Sequence, residues 1–300
     1  MEWISTWCSN SSLMFFVFPF LLSLTAEQDR TEACPLLPSS PADDVYELSG
    51  ENPVLLQNRI ESRVLAWSDR YPDSLTSLIE YFEQNGFQIK ELLADSRFEI
   101  YEGIGDRFRH SAERKSLSLD EYKNVLGFED KRSRITGFIN ENNNQLTKAE
   151  ADYDISRYVI AAIIGIESDF GKNIGRFNPF NAYVSMYAEG YRDDFARAQL
   201  EELLKFTTRN NIDVFELKSS YAGAMSFAQF IPYSVNKWFV GDDIFDMNNN
   251  ILSVANYLAH FKEITGSLDG AVFRYNPSRL YTDAVLDLAK EAEDIYTAAR

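Results

Sequence analysis

The sequence predicts an all-α protein, on three observations. Apolar residues recur at helical spacing in segment after segment, cap and stop signals punctuate those segments, and no strand run of convincing length is present. There is no internal repeat. Folded sequence is expected to begin near Val54, after Ala33–Asp44 (ACPLLPSSPADD), whose prolines and serines suit a flexible leader. Leu75, Leu78, Ile79 and Phe82 form the first stripe, ended by Asn85-Gly86. Ser118–Glu121 (SLDE) is a capping box ahead of a segment stopped by Gly127, and Ile135, Phe138 and Ile139 mark another helix. The polar stretch NENNNQLTKAEAD (140–152) then reads as a seam. Beyond it come a helix starting near Ser156, one through Phe195–Phe206 and one at Ile251–Phe261. Tyr281, Ala284, Val285, Leu288 and Ala289 complete the set with an i, i+3, i+4, i+7, i+8 stripe.

Composition narrows the function. A hydrophobic content of 45% with 14% aromatics marks a globular chain with a real core. Acidic residues outnumber basic ones 46 to 29, and the resulting net charge of −17 repels phosphate backbones, so nucleic acid is not an expected partner. Two histidines, His110 and His260, and two cysteines, Cys8 and Cys34, do not assemble a four-ligand Cys/His zinc site, and no metal is expected. Gly-x-Gly-x-x-Gly, phosphate-loop and Gly-x-Ser-x-Gly signals are absent, so no nucleotide cofactor is expected and serine hydrolysis lacks its signal. Carboxylate chemistry is what the chain supplies.

The N-terminus carries the apolar run LMFFVFPFLLSLTA (Leu13–Ala26), 14 residues long. That length is short for a membrane span and suits a signal-peptide core, so residues 1–26 are read as an export signal and residues 27–53 as the leader. The protein is therefore expected in the periplasm or associated with the cell envelope, and the apolar segment leaves envelope anchoring open. Glu2 and the lack of Lys or Arg before the run depart from the usual signal pattern. Loss of Cys8 with the signal would leave one thiol, Cys34, and no internal disulfide.

GIESDFG (Gly165–Gly171) raises the sharpest question. Ile160, Ile163, Ile164 and Glu167 fall on one helical face, which sets a carboxylate on an apolar stripe. Phe170 is the last periodic residue, and Gly171 is expected to stop the helix. Among Ile163, Ile164 and Phe170, desolvation would raise the carboxyl's pKa and let it hold a proton. The alternative is structural trim, with Glu167 at a helix edge or paired to Arg157 or Lys172.

Two later stretches stand apart from ordinary helix surface. SSYAGAMSFAQFIP (Ser219–Pro232) offers small residues at Ala222, Gly223, Ala224 and Ser226, with Gln229 between aromatics. FRYNPSRLY (Phe273–Tyr281) groups Tyr275, Asn276, Ser278 and Tyr281 around a proline turn. Small residues let a ligand approach the main chain, and flat polar side chains suit sugars. Each stretch also reads as a helix-capping loop.

AAIIGIESDFGKNIG, KSSYAGAMSFAQFIPYS and FRYNPSRLYTDAV, in that order, resemble the lytic murein transglycosylases of the B type. The resemblance covers roughly Leu75 to the end, weakening toward the N-terminus. It implies a lysozyme-like helical catalytic core over residues 151–300, with an additional N-terminal helical region over 54–150. It places the lone catalytic acid on Glu167 and substrate contacts on Ser220, Gln229, Tyr275, Asn276 and Tyr281. Peptidoglycan glycan strands are the implied partner. The implied reaction cuts the β-1,4 bond between N-acetylmuramic acid and N-acetylglucosamine without water and closes the muramic residue as a 1,6-anhydro sugar. One carboxyl suffices for this, first as acid to the leaving oxygen and then as base to the C6 hydroxyl. A hydrolytic muramidase and a non-catalytic wall-binding or scaffold protein are the alternatives, with a plain helical interaction domain a third.

Three departures carry expectations of their own. Asp169 lies two positions from Glu167, so it should face elsewhere and serve as solvent-exposed or helix-end trim. Asp246, Asn248 and Asn250 alternate like a calcium loop, but Ile251 occupies the place of that loop's glycine, so no calcium is expected. Phe170 stands where the family commonly has tryptophan.

Overall fold

Fourteen helices, one 3₁₀ turn and three isolated β-bridges make up the described part of the molecule, a computed structural model covering residues 53–109 and 117–298. The expected export signal at 1–26 and almost all of the leader lie outside the described residues; Pro53, read as the leader's last residue, instead opens the first helix. No helix among the described residues is long and apolar enough to cross a membrane.

The N-terminal region consists of α1 (Pro53–Arg70), α2 (Pro72–Gln84), α3 (Ile89–Ala94) and α4 (Ile104–Arg109). Leu75, Leu78 and Phe82 of α2 are fully buried, as the stripe requires, and the helix ends at Asn85. Next come α5 (Leu119–Leu126), α6 (Phe128–Glu141) and α7 (Asn143–Tyr153). Ser118 and Glu121 form the reciprocal capping box of α5, and Gly127 ends it in a left-handed conformation. The polar stretch read as a seam is α7 itself. It buries Leu146 and Ala149 against the core while its other face stays polar.

The C-terminal region is built from α8 (Arg157–Ser168), α9 (Pro179–Ala188), α10 (Asp193–Asn210), α11 (Pro232–Trp238), α12 (Met247–Thr265), α13 (Leu268–Tyr275) and α14 (Arg279–Ala298). Every residue of α8 from Val159 to Ser168 is buried. A helix apolar on all sides belongs in the middle of a protein, and α8 packs against α6, α7, α12 and α14. The expected single stripe was therefore too narrow a description, because four neighbouring helices cover all its faces.

Helices on both sides of residue 150 share one hydrophobic cluster. Polar contacts lock them further. Glu189, which ends α9, accepts from the Gly103 N–H at 2.6 Å and the Gly105 N–H at 3.0 Å, at the start of α4. Ser185 Oγ accepts from the Tyr101 N–H at 2.8 Å, and Asn181 Nδ2 donates to the Arg97 carbonyl at 3.1 Å.

Gly165 owes its identity to close packing inside α8. A Cβ there would lie 2.6 Å from Cε1 of Phe170, whose ring folds back over the helix. Glycine to alanine within a helix ordinarily gains roughly 0.5–1 kcal/mol. Here Gly165→Ala is expected to lose about 1–3 kcal/mol, as overpacking does. In a Phe170→Ala background that penalty should vanish, which urea unfolding of the double-mutant cycle measures.

Candidate active site

The site begins where α8 ends. Ser156 caps the N-terminus, its hydroxyl accepting from the Tyr158 N–H. At the other end the helix stops at Ser168, and three successive residues take left-handed conformations: Asp169 (φ 55°), Phe170 (φ 60°) and Gly171 (φ 84°). The expected stop at Gly171 thus comes two residues early, and Phe170 is not on the helix. Left-handed geometry costs a non-glycine residue roughly 1–2 kcal/mol, so something must hold each one.

Side chains from α6 do so. Arg134 is ion-paired with Asp169 and with Asp130, and Lys131 Nζ lies 3.4 Å from Asp169 Oδ1. The Phe170 ring packs on Phe138 at 5.1 Å and lies under the Arg134 guanidinium at 5.4 Å. The Ser168 hydroxyl accepts from the Gly171 N–H at 3.0 Å. Asp169 is helix-end trim, as expected, and it is clamped rather than solvated.

Glu167 is met instead from α14. Glu167 is 5% exposed, and the Tyr281 hydroxyl donates to its Oε1 at 2.6 Å. Arg157, one offered partner, is instead bound to Glu150, with Nε at 2.7 Å from Oε2. Lys172, the other, forms no ion pair among the described residues. Burial, followed by the nearby charge of Glu167, pushes the Tyr281 hydroxyl well above its ordinary value. The phenol therefore remains a donor across the physiological range. Tyr275 is driven up in the same way, by burial first and then by the charge of Glu167, which sets it in the same neighbourhood.

The small-residue loop forms the adjoining wall. Its backbone is pinned by bridges pairing Phe177 with Ser219, Ser219 with Met225, and Met225 with Phe230. The Tyr275 hydroxyl donates to the Ala228 carbonyl at 2.6 Å, and Asn250 Oδ1 accepts from the Ala228 N–H at 3.0 Å. Gly223 (φ 77°) does not open the chain to a ligand. Its absent Cβ makes room for the Tyr183 ring, and the Tyr183 hydroxyl donates to its carbonyl at 3.0 Å.

The sequence-derived site residues divide into two groups. Ser220 is fully buried, and its hydroxyl bonds the Ala224 N–H and carbonyl, both at 3.2 Å. It braces the loop, and Tyr275 ties the loop to α13. Gln229 and Asn276 differ from these two. Gln229 Nε2 donates to the Ser226 carbonyl at 3.0 Å, while its Oε1 and the Oδ1 of Asn276 are buried acceptors with no protein donor among the described residues. Tyr281 joins Glu167 directly.

The alternating Asp246, Asn248 and Asn250 open α12. The Asp246 carboxylate caps that helix by accepting from the Asn249 N–H at 2.9 Å, and Asn250 Nδ2 donates to the Ile244 and Asp246 carbonyls. Lys131 and Arg134 were not found by sequence reasoning, because each acts on Asp169, at least 35 residues away.

Comparison with known proteins identifies the family to which this helical chain belongs. The chain belongs to the transglycosylase SLT domain family, whose domain matches residues 73–266. It is 31% identical over 127 residues to the membrane-bound lytic murein transglycosylase B of Escherichia coli (strain K12), a segment amounting to 40% of this chain and 35% of that relative. Among solved structures, the catenated lytic transglycosylase SltB1 from Pseudomonas aeruginosa superposes with a TM-score of 0.66 at 23% identity, covering 75% of this chain and 98% of that one. SltB3 from Pseudomonas aeruginosa, in complex with NAG-NAM-pentapeptide, superposes with a TM-score of 0.62 at 18% identity, covering 77% of this chain and 79% of that one. At these identities the structural likeness is one of fold, and that fold is the expected lysozyme-like, all-α one.

Two outcomes follow from the geometry. Tyr281→Phe removes the hydrogen bond to a buried carboxyl and should cost about 1–3 kcal/mol of stability by urea unfolding. Asp169 carries a pH dependence. Burial alone would raise its carboxyl, but the hydrogen bond from Arg134 and the charges of Lys131 and Arg134 outweigh it and hold the group below its ordinary value. Its contribution is therefore complete above the ordinary carboxylate value and is lost as pH falls through the lowered one. Asp169→Asn should cost about 3 kcal/mol at neutral pH, because it strands Lys131, which is only 4% exposed. It should also narrow the stability difference between neutral pH and about pH 2, read from denaturant curves at both.

Proposed function

We propose that this chain is a lytic transglycosylase of bacterial peptidoglycan. It cleaves the β-1,4 bond between N-acetylmuramic acid and N-acetylglucosamine and closes the muramic residue as the 1,6-anhydro sugar, with Glu167 as the single acid and base. One observation carries this reading: among the described residues Glu167 is the only buried carboxylate, whereas ordinary glycosidases hold two in fixed opposition. Asp169, the nearest candidate for a second, is turned away into its clamp.

Burial favours the neutral carboxyl, and the hydrogen bond from Tyr281 favours the charged one. Glu167 is thereby suited to both halves of the reaction. The protonated acid gives its proton to the leaving glycosidic oxygen. The substrate's own acetamido group stabilises the positive anomeric carbon. The carboxylate, held by Tyr281, then takes the proton of the C6 hydroxyl as that oxygen attacks. Gln229 Oε1 and Asn276 Oδ1 supply buried acceptors for sugar hydroxyl or amide N–H groups, whose pairing would relieve two unsatisfied atoms. Ser220 and Tyr275 contribute by fixing the loop that carries Gln229.

The relative bound to NAG-NAM-pentapeptide supports glycan strands as substrate. A chain acting on them works in the bacterial envelope, which the expected export signal suits.

Mass analysis of digested peptidoglycan tests the reading. Anhydro-muramic products are expected from the wild type, and Glu167→Gln should lower turnover by at least about 100-fold, the range for a general acid–base group. Reducing-end products without anhydro sugar would make the chain a hydrolytic muramidase. Unchanged digestion by Glu167→Gln would remove this residue from the mechanism.

A further inference from the structure

An aromatic row adjoins the small-residue loop. Tyr191 stacks on Phe108 at 4.9 Å, Phe108 meets Tyr221 edge-on at 5.0 Å, and Phe177 lies 6.4 Å from Tyr221 and 5.1 Å from Tyr101. Four separate segments contribute to it. Phe177 and Tyr221 flank the braced loop: the Phe177 N–H donates to the Ser219 carbonyl at 3.0 Å, and Tyr221 follows Ser220.

Two guanidinium groups approach the Phe177 ring, that of Arg107 from α4 at 5.7 Å and that of Arg176 at 5.8 Å from its centroid. Both residues are exposed, and neither joins an ion pair among the described residues. They are positive groups on a chain of net charge −17. Arg97, Arg132, Arg134, Arg157 and Arg279 are each neutralised by carboxylates of the protein itself. Arg107 and Arg176 instead leave positive charge beside an aromatic wall. Arg176 stands two residues beyond Ile174, whose carbonyl accepts from Gln229 Nε2 at 3.4 Å.

We propose that Arg107 and Arg176 form a carboxylate subsite that reads the peptide stem attached to the muramic lactyl group, so that the protein prefers peptide-bearing strands to stripped ones. The proposal rests on the glycan-cleaving reading above and names the part of that substrate which the aromatic and neutral polar groups do not address. A stem peptide ends in a carboxylate, for which a guanidinium is the matching two-pronged donor. Cations positioned by an aromatic face lose little freedom on binding it. The remaining surface charge, being mostly negative, repels a stem that settles anywhere else.

The test is binding to the full chain carrying Glu167→Gln, so that no turnover is needed. Fluorescence anisotropy compares labelled NAG-NAM-pentapeptide oligomers with the same oligomers after an amidase has removed the peptides, which frees the lactyl carboxylates. Adding Arg107→Ala and Arg176→Ala together should weaken binding of the peptide-bearing oligomer by about 3- to 10-fold, the range for two exposed charge pairs. Binding of the stripped oligomer should stay within about twofold. Raising salt from about 50 to 300 mM should weaken peptide-bearing binding in the parent and hardly at all in the double variant. The lysine pair, Arg107→Lys with Arg176→Lys, should retain most of the affinity and so separates loss of charge from loss of fold. An equal loss on both oligomers overturns the proposal, as does no loss on either. A loss confined to the stripped oligomer assigns the arginines to the lactyl carboxylate and overturns the stem assignment. Product analysis of the wild type reports separately on the glycan-cleaving reading.

Discussion

The hydrogen bond from Tyr281 to Glu167 is the contact on which the site depends, and it exists because α8 is buried on every face. A carboxyl group in such a helix has no water to turn to. The Tyr281 phenol, which burial keeps protonated, reaches it from α14, 114 residues away in sequence. The packing of α14 on α8 therefore sets the position of the acid as directly as α8 does.

The end of α8 shows how the chain directs two neighbouring carboxylates to different tasks. Three left-handed residues in a row rotate the backbone so that Asp169 meets Arg134 and Lys131 while Glu167 stays inside. The ion pairs, the Phe170 ring over Gly165 and the Ser168 hydroxyl jointly hold a conformation that two of the three residues would avoid. Strain of this kind persists only where surrounding contacts over-determine it, and here the ion pairs and the Phe138 packing come from α6, on the far side of residue 150. The N-terminal region is accordingly part of the site's support, and the clamp joins it to the C-terminal helices in addition to their shared core.

The loop that carries Gln229 follows the same logic. Its small residues serve tight packing: Gly223 accommodates Tyr183, and Ser220 closes a turn with Ala224. Gln229 is itself left-handed, with φ 51°, and its amide N–H bonds the loop while its oxygen is left over. Unsatisfied buried acceptors at Gln229 and Asn276 are expensive in a folded protein, and a sugar bearing hydroxyl and amide donors would satisfy them.

What the sequence by itself determined was local. The capping box at Ser118, the left-handed stop at Gly127, the stripes of α2 and α14 and the cap of α8 at Ser156 each depend on residues within one or two turns of one another, so spacing alone reveals them. The three motif blocks also marked Glu167, Gln229, Asn276 and Tyr281 for attention. Tertiary structure decided which of the marked residues face one another: that Tyr281 meets Glu167, that Ser220 and Tyr275 act as braces, that α7 is a helix where polarity suggested a break, and that Lys131 and Arg134 hold Asp169. Hydrogen bonds and ion pairs between residues far apart in the chain leave no periodic trace, because their geometry arises only when helices distant in sequence are packed together.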